Sequence, residues 1–486
     1  MAQRIDAGAR VARDCGRWCA FGFGAIPPRD EDTTQPPGCG AVDIMVTVTD
    51  HDRLGGVHPG RLQPFERLPD HPRLVMLLGQ ISPGDHREVP IQTLGLSDPT
   101  RQILPLRGGH RQAHPGVGQV GRQAQGFAQW TPYPGQLRLQ AFSHIASGAA
   151  MVSYWHWHSI HNAFETYWKG LLSHDFSRNP TWQEATTIGA DFARLSPQLA
   201  ELKAENDVAL LVSNEAMDAL NQFRPGDTQG NIYNDIFRRF HDALYDHNIS
   251  LDIIHDVNEE TSRYRVLIVP GLYAADDGLL ARINHYIAEG GRALIGFKSG
   301  FSDENVKVRS GAQPGILRES CGVSYSQFTL PEETTVSACS ADIDCRQDNQ
   351  AELWMELLTP DAGTRTLLRY QHPAWGEYAA ATEADYGRGR AMYVGFLPQK
   401  GLISQLFDVL TADLTLNSRT SAYRYPLVVK KMRNRAGNNI HFLFNYSGEA
   451  LDVVSETAGT ALLSGEAVDV GQPLRLRAWE FTIIES

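Results

Sequence analysis

Asp207–Ser213 reads DVALLVS, a short unbroken apolar run that suits a strand buried on both faces better than a helix. The segments downstream of this run decide the fold. Asn231–Asn248, NIYNDIFRRFHDALYDHN, spaces its apolar residues three and four apart and predicts an amphipathic helix. Ser250–Asp256, SLDIIHD, and Tyr264–Tyr273, YRVLIVPGLY, read as further strands. Asp276–Gly290, DDGLLARINHYIAEG, reads as a helix closed by Gly290–Gly291, and Arg292–Phe297, RALIGF, as the next strand. Apolar strands alternating with helices specify a parallel, doubly wound α/β sheet. Such sheets often hold nucleotides, but no G-x-G-x-x-G or Walker loop follows Ser213, so neither flavin nor nucleotide is expected.

The pattern changes on both sides of this segment. From about Ala422, the stretches PLVVKKMRN, NIHFLFNYSG, ALDVVSET and AWEFTIIES are short strands separated by turns, spaced for a small antiparallel sandwich. Upstream, Gln136–Ile145 presents Leu137, Leu139, Ala141, Phe142 and Ile145 on one side and predicts a helix followed by Gly148. Met151–Trp157 then reads as a buried strand.

Residues 1–122 are written differently. They hold fourteen Arg and thirteen of the chain's 26 Pro, but no Lys, Asn or Tyr; the first of each is Lys169, Asn162 and Tyr133. Proline falls too often in HPGRLQPFERLPDHPRLVMLLGQISPGDHREVP for a helical period. The candidate strands Ala41–Asp50 and Arg73–Ile81 do not build into a β/α series. One reading is a Pro/Arg-rich regulatory extension. The preferred one is a non-native segment, such as GC-rich DNA translated in a wrong frame.

At 486 residues the chain has room for several cores. A formal charge of −12 with no basic tract excludes a general nucleic-acid binder. No apolar run approaches membrane-span length and no secretion signal opens the sequence, so a cytoplasmic address is expected. Six cysteines in a long chain of that kind are expected to be reduced, and the pair Cys15/Cys19 lacks a second pair to complete a metal site.

The chemistry concentrates in Tyr154–Trp168, YWHWHSIHNAFETYW. On a strand Trp155 and Trp157 would face one side and His156 and His158 the other. Two His at that spacing plus His161 could ligate zinc, yet no nearby Cys or carboxylate shows a familiar spacing, and no metal is expected. Flat rings with a few polar groups suit sugars, whose C–H faces lie on Trp while carboxylates take the hydroxyls. Trp130, Trp155 and Trp168 would be platforms and Glu165 a hydroxyl acceptor. A Trp-rich core seam explains the same residues equally well.

Longer stretches carry a resemblance. QGFAQWTPYPGQLRLQAFSHIASGA, MVSYWHWHSIHNAFETYWKGLLSHDF, NPTWQEATTIGADFARLSPQL, VALLVSNEAMDALNQF and FKSGFSDENVKV together resemble the family 42 glycoside hydrolases, the microbial β-galactosidases, over about residues 123–486. The resemblance implies the C-terminal end of a truncated TIM barrel (123–200), a flavodoxin-like trimerisation domain without flavin (205–415) and a C-terminal β-sandwich (422–486). It also implies a homotrimer acting on β-galactosides without a cofactor. Trp130 is similar to the tryptophan that stacks on galactose, Trp155 to an aromatic wall of that subsite, and Glu165 to the glutamate that holds galactose hydroxyls. Trp168 stands where some members have His.

The resemblance stops at the change of composition. The family's nucleophilic Glu stands eight or nine residues before the stacking Trp, and here those positions are Arg122 and Gly121. Its acid/base Glu follows an Asn, and residues 1–122 contain no Asn. Asn214–Glu215 is an Asn-Glu pair at a strand end, but it falls in the trimerisation segment and is expected to be structural. No catalytic residue is therefore assigned, and a β-galactosidase relative without hydrolytic activity is expected. A non-catalytic trimer-forming or sugar-binding remnant over Asp207–Ser486 is the alternative.

Overall fold

The computed structural model describes residues 131–486 apart from 155–156, 163–168, 227 and 229. Every reading of residues 1–122 falls outside that range.

Helices α1 (Gln136–Ile145) and α2 (Pro180–Leu199) come first. Helix α1 buries the five apolar residues that its spacing selects. Helix α2 starts where Asn179 accepts from the Trp182 N–H and Pro180 occupies the first turn, where its missing N–H costs nothing. The Glu184 carboxylate in turn accepts from the Arg138 N–H at 2.8 Å, in the first turn of α1. Burial raises the Glu184 pKa, a shift that these amide hydrogen bonds oppose. Arg138 Nε donates to Asp191 at 2.7 Å and ties the two helices together.

The doubly wound segment comes next, with β1 (Val208–Leu211), α3 (Asn214–Gln222), α4 (Ile232–Tyr245), β2 (Asp252–Ile254), β3 (Val266–Val269), α5 (Asp277–Ala288) and β4 (Arg292–Gly296). Each helix opens on the side chain that its sequence supplies: Ser213 accepts from Ala216 N–H, Asn231 from Asn234 N–H and Asp276 from Leu279 N–H. Four further strands, β5 (Thr335–Ala338), β6 (Arg365–Gln371), β7 (Ala379–Tyr386) and β8 (Gly389–Val394), extend the sheet to the order β2-β1-β3-β4-β8-β7-β6-β5. The first five are parallel, and β7, β6 and β5 add on antiparallel. The parallel part has the flavodoxin-like order, and its crossovers run in opposite directions from β1, which places helices on both faces. Helix α6 (Lys400–Leu410) closes the segment against α4, with Ser404 Oγ donating to the Ala243 carbonyl.

The chain ends in antiparallel strands β9 (Leu427–Arg433), β10 (Asn439–Asn445), β11 (Leu451–Val454), β12 (Gly459–Ala461), β13 (Ala467–Val468), β14 (Pro473–Leu476) and β15 (Phe481–Glu485). They form a five-stranded sheet, β9-β10-β15-β12-β13, and a β11–β14 pair. Alternation along β10 sends Ile440, Phe442 and Phe444 to one face and Leu443 to the other. The first face packs on α1 and α2, where Phe142 meets Phe192 and Phe481 with ring centroids 4.7 Å apart. The second packs on β11 and β14 and completes the sandwich.

The expected strand at Met151–Trp157 needs correction. Among the described residues of that stretch no strand forms; Met151 and Ser153 are exposed and Val152 is buried against α1 and α2. A barrel strand is buried because parallel neighbours flank it. Tyr154 takes part in an isolated bridge, and His158 pairs with Leu172 in parallel further along.

Candidate functional site

Trp130, Trp155, Glu165 and Trp168 lie outside the described residues, as does His156. The residues beside them are described, and they converge. Lys169 Nζ donates to Thr131 Oγ1 at 2.9 Å, joining the residue after Trp168 to the residue after Trp130. Two backbone crossings hold the ring-rich stretch to its return. Ser159 N–H donates to Leu172 O and Leu172 N–H to Trp157 O, both at 2.9 Å. A Cβ on Gly170 would lie 2.3 Å from the His158 carbonyl carbon, so only glycine allows this approach.

His158 and His161 of this stretch, and His174 on its return, bond main-chain carbonyls. His158 Nδ1 bonds Ser159 O at 2.8 Å, His161 Nε2 bonds His174 O at 2.6 Å, and His174 Nε2 bonds Ile160 O at 3.1 Å. A carbonyl only accepts, so each of these ring nitrogens carries a hydrogen. Phe176, in a left-handed turn at φ 59°, stacks on His161 at 5.3 Å and tilts against His158 at 4.8 Å. Among the described residues no group of three or more His, Cys, Asp or Glu has metal-binding geometry. Trp157 is partly buried in the core shared by α1, α2 and the C-terminal sheet, so for this ring the seam reading applies. Tyr154 packs there too, and burial pushes its hydroxyl well above the usual phenol range.

Asn214 and Glu215 open α3 on the surface, where Glu215 accepts from Ser213 Oγ at 3.1 Å. The carboxylate is thus engaged with the residue that caps its own helix. Cys321, Cys339 and Cys345 carry free thiols. No described helix is long and apolar enough to cross a membrane.

A second polar cluster has no local signature in the sequence. The Glu356 side chain is fully buried between strands; its Oε1 accepts from the Lys298 N–H at 2.8 Å and its Oε2 from Tyr393 Oη at 2.9 Å. Burial lifts this carboxyl to about 7, against the pull of those hydrogen bonds. Burial also lowers the Lys298 ammonium to about 8, and the Glu356 charge opposes that shift. The Lys298 Nζ sits 4.1 Å from the ring centre of Trp354 and 4.4 Å from those of Tyr273 and Phe301. These partners are spread from residue 273 to 393, so no local spacing announces them.

A barrel end, a flavodoxin-like sheet without a nucleotide loop and a β-sandwich define a multidomain α/β protein with its ring-rich segment in the barrel portion. Comparison with known proteins narrows the class. Residues 206–417 match the profile of the β-galactosidase trimerisation domain, and residues 119–195 match that of the family 42 β-galactosidases. The two profiles together span more than half of the chain, and over these residues it belongs to glycoside hydrolase family 42.

Curated relatives include β-galactosidase bgaB of Geobacillus kaustophilus, 26% identical over 290 residues, covering 58% of this chain and 41% of the relative. Another is β-galactosidase BbgII of Bifidobacterium bifidum, 25% identical over 342 residues, covering 68% of this chain and 48% of the relative. The chain thus spans about half the length of the curated relatives it matches. Among solved structures, the β-galactosidase from Bacillus circulans sp. alkalophilus aligns with TM-score 0.65 at 22% identity, over 74% of this chain and 54% of that one. Gan42B, a family 42 β-galactosidase from G. stearothermophilus, aligns with TM-score 0.64 at 22% identity, over 73% and 51%. At that identity the likeness establishes fold.

Proposed function

We propose that the chain derives from a retaining β-galactosidase acting on terminal β-D-galactosides, that it forms a homotrimer, and that it lacks hydrolytic activity. In this reading Trp130 stacks on the galactose ring, Trp155 walls the subsite, Glu165 takes sugar hydroxyls and Trp168 borders them. The Lys169–Thr131 hydrogen bond supports the grouping, since it ties the neighbour of Trp168 to that of Trp130.

The loss of activity rests on one observation: Arg122 stands eight residues before Trp130. A retaining glycosidase needs two carboxyl groups roughly 5–5.5 Å apart, one to attack the anomeric carbon and one to protonate the leaving oxygen. A guanidinium cannot attack that carbon, and its positive charge opposes an oxocarbenium-like transition state. The acid/base position has no counterpart either, because residues 1–122 contain no Asn to precede it.

Purified full chain with an aryl β-galactoside is expected to release aglycone no faster than buffer alone. Saturable turnover that disappears in Glu165→Ala would overturn the loss of activity. The second reading, a non-catalytic sugar-binding or trimer-forming remnant over Asp207–Ser486, is favoured by the completeness of the sheet and sandwich in that range.

A further inference from the structure

One edge of the eight-stranded sheet is β5, and the chain folds back to cover it. Thr335 bridges Gln350 in the antiparallel sense, with Val336 N–H donating to Asn349 O at 2.8 Å and Ala351 N–H to Thr334 O at 2.9 Å. On its other side β5 pairs with β6, where Cys339 N–H donates to Leu367 O at 2.8 Å. Amides alternate in direction along a strand, so the Ala338 N–H points away from β6, as that of Val336 does.

Asp348 lies just before the covering residues, and its φ of 56° is the left-handed conformation of a bulge residue. Counted on from the Thr335/Gln350 bridge with Asp348 as the extra residue, the register sets Ser337 opposite Gln347 and Cys339 opposite Cys345. Other contacts agree with that register. The Ala338 N–H acts on the Cys345 sulfur, where a regular ladder would supply a carbonyl, and the Cys339 thiol acts on it too. Asn349 Nδ2 donates to the Cys345 carbonyl at 2.9 Å. The two cysteines thus stand at the base of a short loop, residues 340–344.

Cys339 is exposed and Cys345 half-buried, and both carry free thiols. Burial first, then the Asp344 carboxylate and Cys339, push the Cys345 thiol up, so Cys339 is the better placed to attack a reagent from solvent. Cys321 does not suit the same chemistry, because it is fully buried and burial pushes its thiol up to about 12. Facing positions in antiparallel strands have Cα atoms about 4.5–5.5 Å apart, inside the roughly 4.4–6.8 Å that a disulfide spans.

We infer that Cys339 and Cys345 form a dithiol site, which a small-molecule disulfide such as oxidised glutathione converts to an internal disulfide. The Cys339 thiolate attacks one sulfur of the reagent, whose S–S bond breaks and releases the first glutathione thiolate. Cys345 then gives its proton to solvent and attacks the Cys339 sulfur of the mixed disulfide, releasing the second. The two cysteines lose two electrons and the reagent is reduced to two thiols. The new bond closes the loop beside Asp344, whose N–H and carbonyl already bind the Gln405 side chain of α6 at 2.6 and 3.1 Å. It thereby pins the segment that covers the sheet edge, where an unprotected strand would pair with other chains.

The test exposes the reduced full chain to oxidised glutathione, then blocks free thiols with N-ethylmaleimide in denaturant. Cleavage before aspartate cuts at Asp342 and Asp344, so the two cysteines fall on separate peptides for mass spectrometry. Wild type is expected to give those peptides joined by a disulfide, with Cys321 carrying maleimide. Cys345→Ser is expected to stop at a glutathione adduct on Cys339. Hydrogen exchange over residues 336–338 is expected to slow about 10-fold on oxidation and to recover with dithiothreitol. Wild type that keeps a glutathione adduct on Cys339 with Cys345 free overturns the inference. Cys339 joined to a different cysteine or to a second chain overturns it too, as does an absence of reaction. Unchanged exchange in a chain that has formed the bond overturns the pinning of the edge.

Discussion

Glu356→Ala is expected to destabilise the chain by about 3–5 kcal/mol, the range for removing one partner of a buried, hydrogen-bonded charged cluster. Two donors lose their acceptor, the Lys298 N–H and the Tyr393 hydroxyl, in a fully buried site. The Tyr370 Oη bond to the Glu356 main-chain carbonyl, at 3.0 Å, is retained in this variant. Urea denaturation at constant slope measures the loss; a change under about 1 kcal/mol would contradict this account.

The same carboxyl makes stability depend on pH. Its folded pKa is raised to about 7 from an ordinary 4.5, so between those values the folded state binds the extra proton and stability falls as pH rises. Lys298, lowered to about 8 from 10.5, works in the opposite sense, and stability recovers as pH rises above 8. Stability is therefore expected to pass through a minimum between about pH 7 and 8. Glu356→Gln should abolish the acid limb of that curve.

The second large effect is expected at Asn248, where the flavodoxin-like sheet meets the sandwich. Its side-chain amide donates to the carbonyls of Tyr423 and Leu427, each at 3.0 Å, and its Oδ1 accepts from the Val429 N–H at 2.7 Å. It is buried and sits at φ 56°, a left-handed conformation that Asn tolerates and Ala resists. Asn248→Ala is expected to cost about 3 kcal/mol from unsatisfied buried groups and backbone strain. Asn248→Gly should recover only the backbone part. Thermal unfolding of both variants checks the order, and equal losses would show that the side-chain bonds carry the effect alone.

The fold was most legible where strands are buried on both faces. Val208–Leu211, Val266–Val269 and Arg292–Gly296 are continuous apolar runs because helices cover both sides. The antiparallel extension was hidden for a physical reason. Ala379–Tyr386, AAATEADY, is built from residues that favour helix, and pairing with β6 and β8 overrides that preference. Met151–Trp157 misled in the opposite direction: among its described residues pairing is limited to single bridges and hydrogen bonds, at Tyr154 and Trp157, rather than a continuous ladder. The Lys298–Glu356 cluster joins residues far apart in sequence, and only the topology of the sheet brings them together.

Residues 119–195 and 206–417 match family 42 profiles, and we propose that the segment ending at Arg122 stands in place of the family's catalytic carboxylates. Sequencing the encoding DNA tests it most directly. Read in another frame upstream of codon 122, the DNA is predicted to encode an Asn-Glu pair and a Glu eight or nine residues before Trp130. If no frame encodes them, the segment is a genuine fusion, and the account of a displaced barrel is wrong.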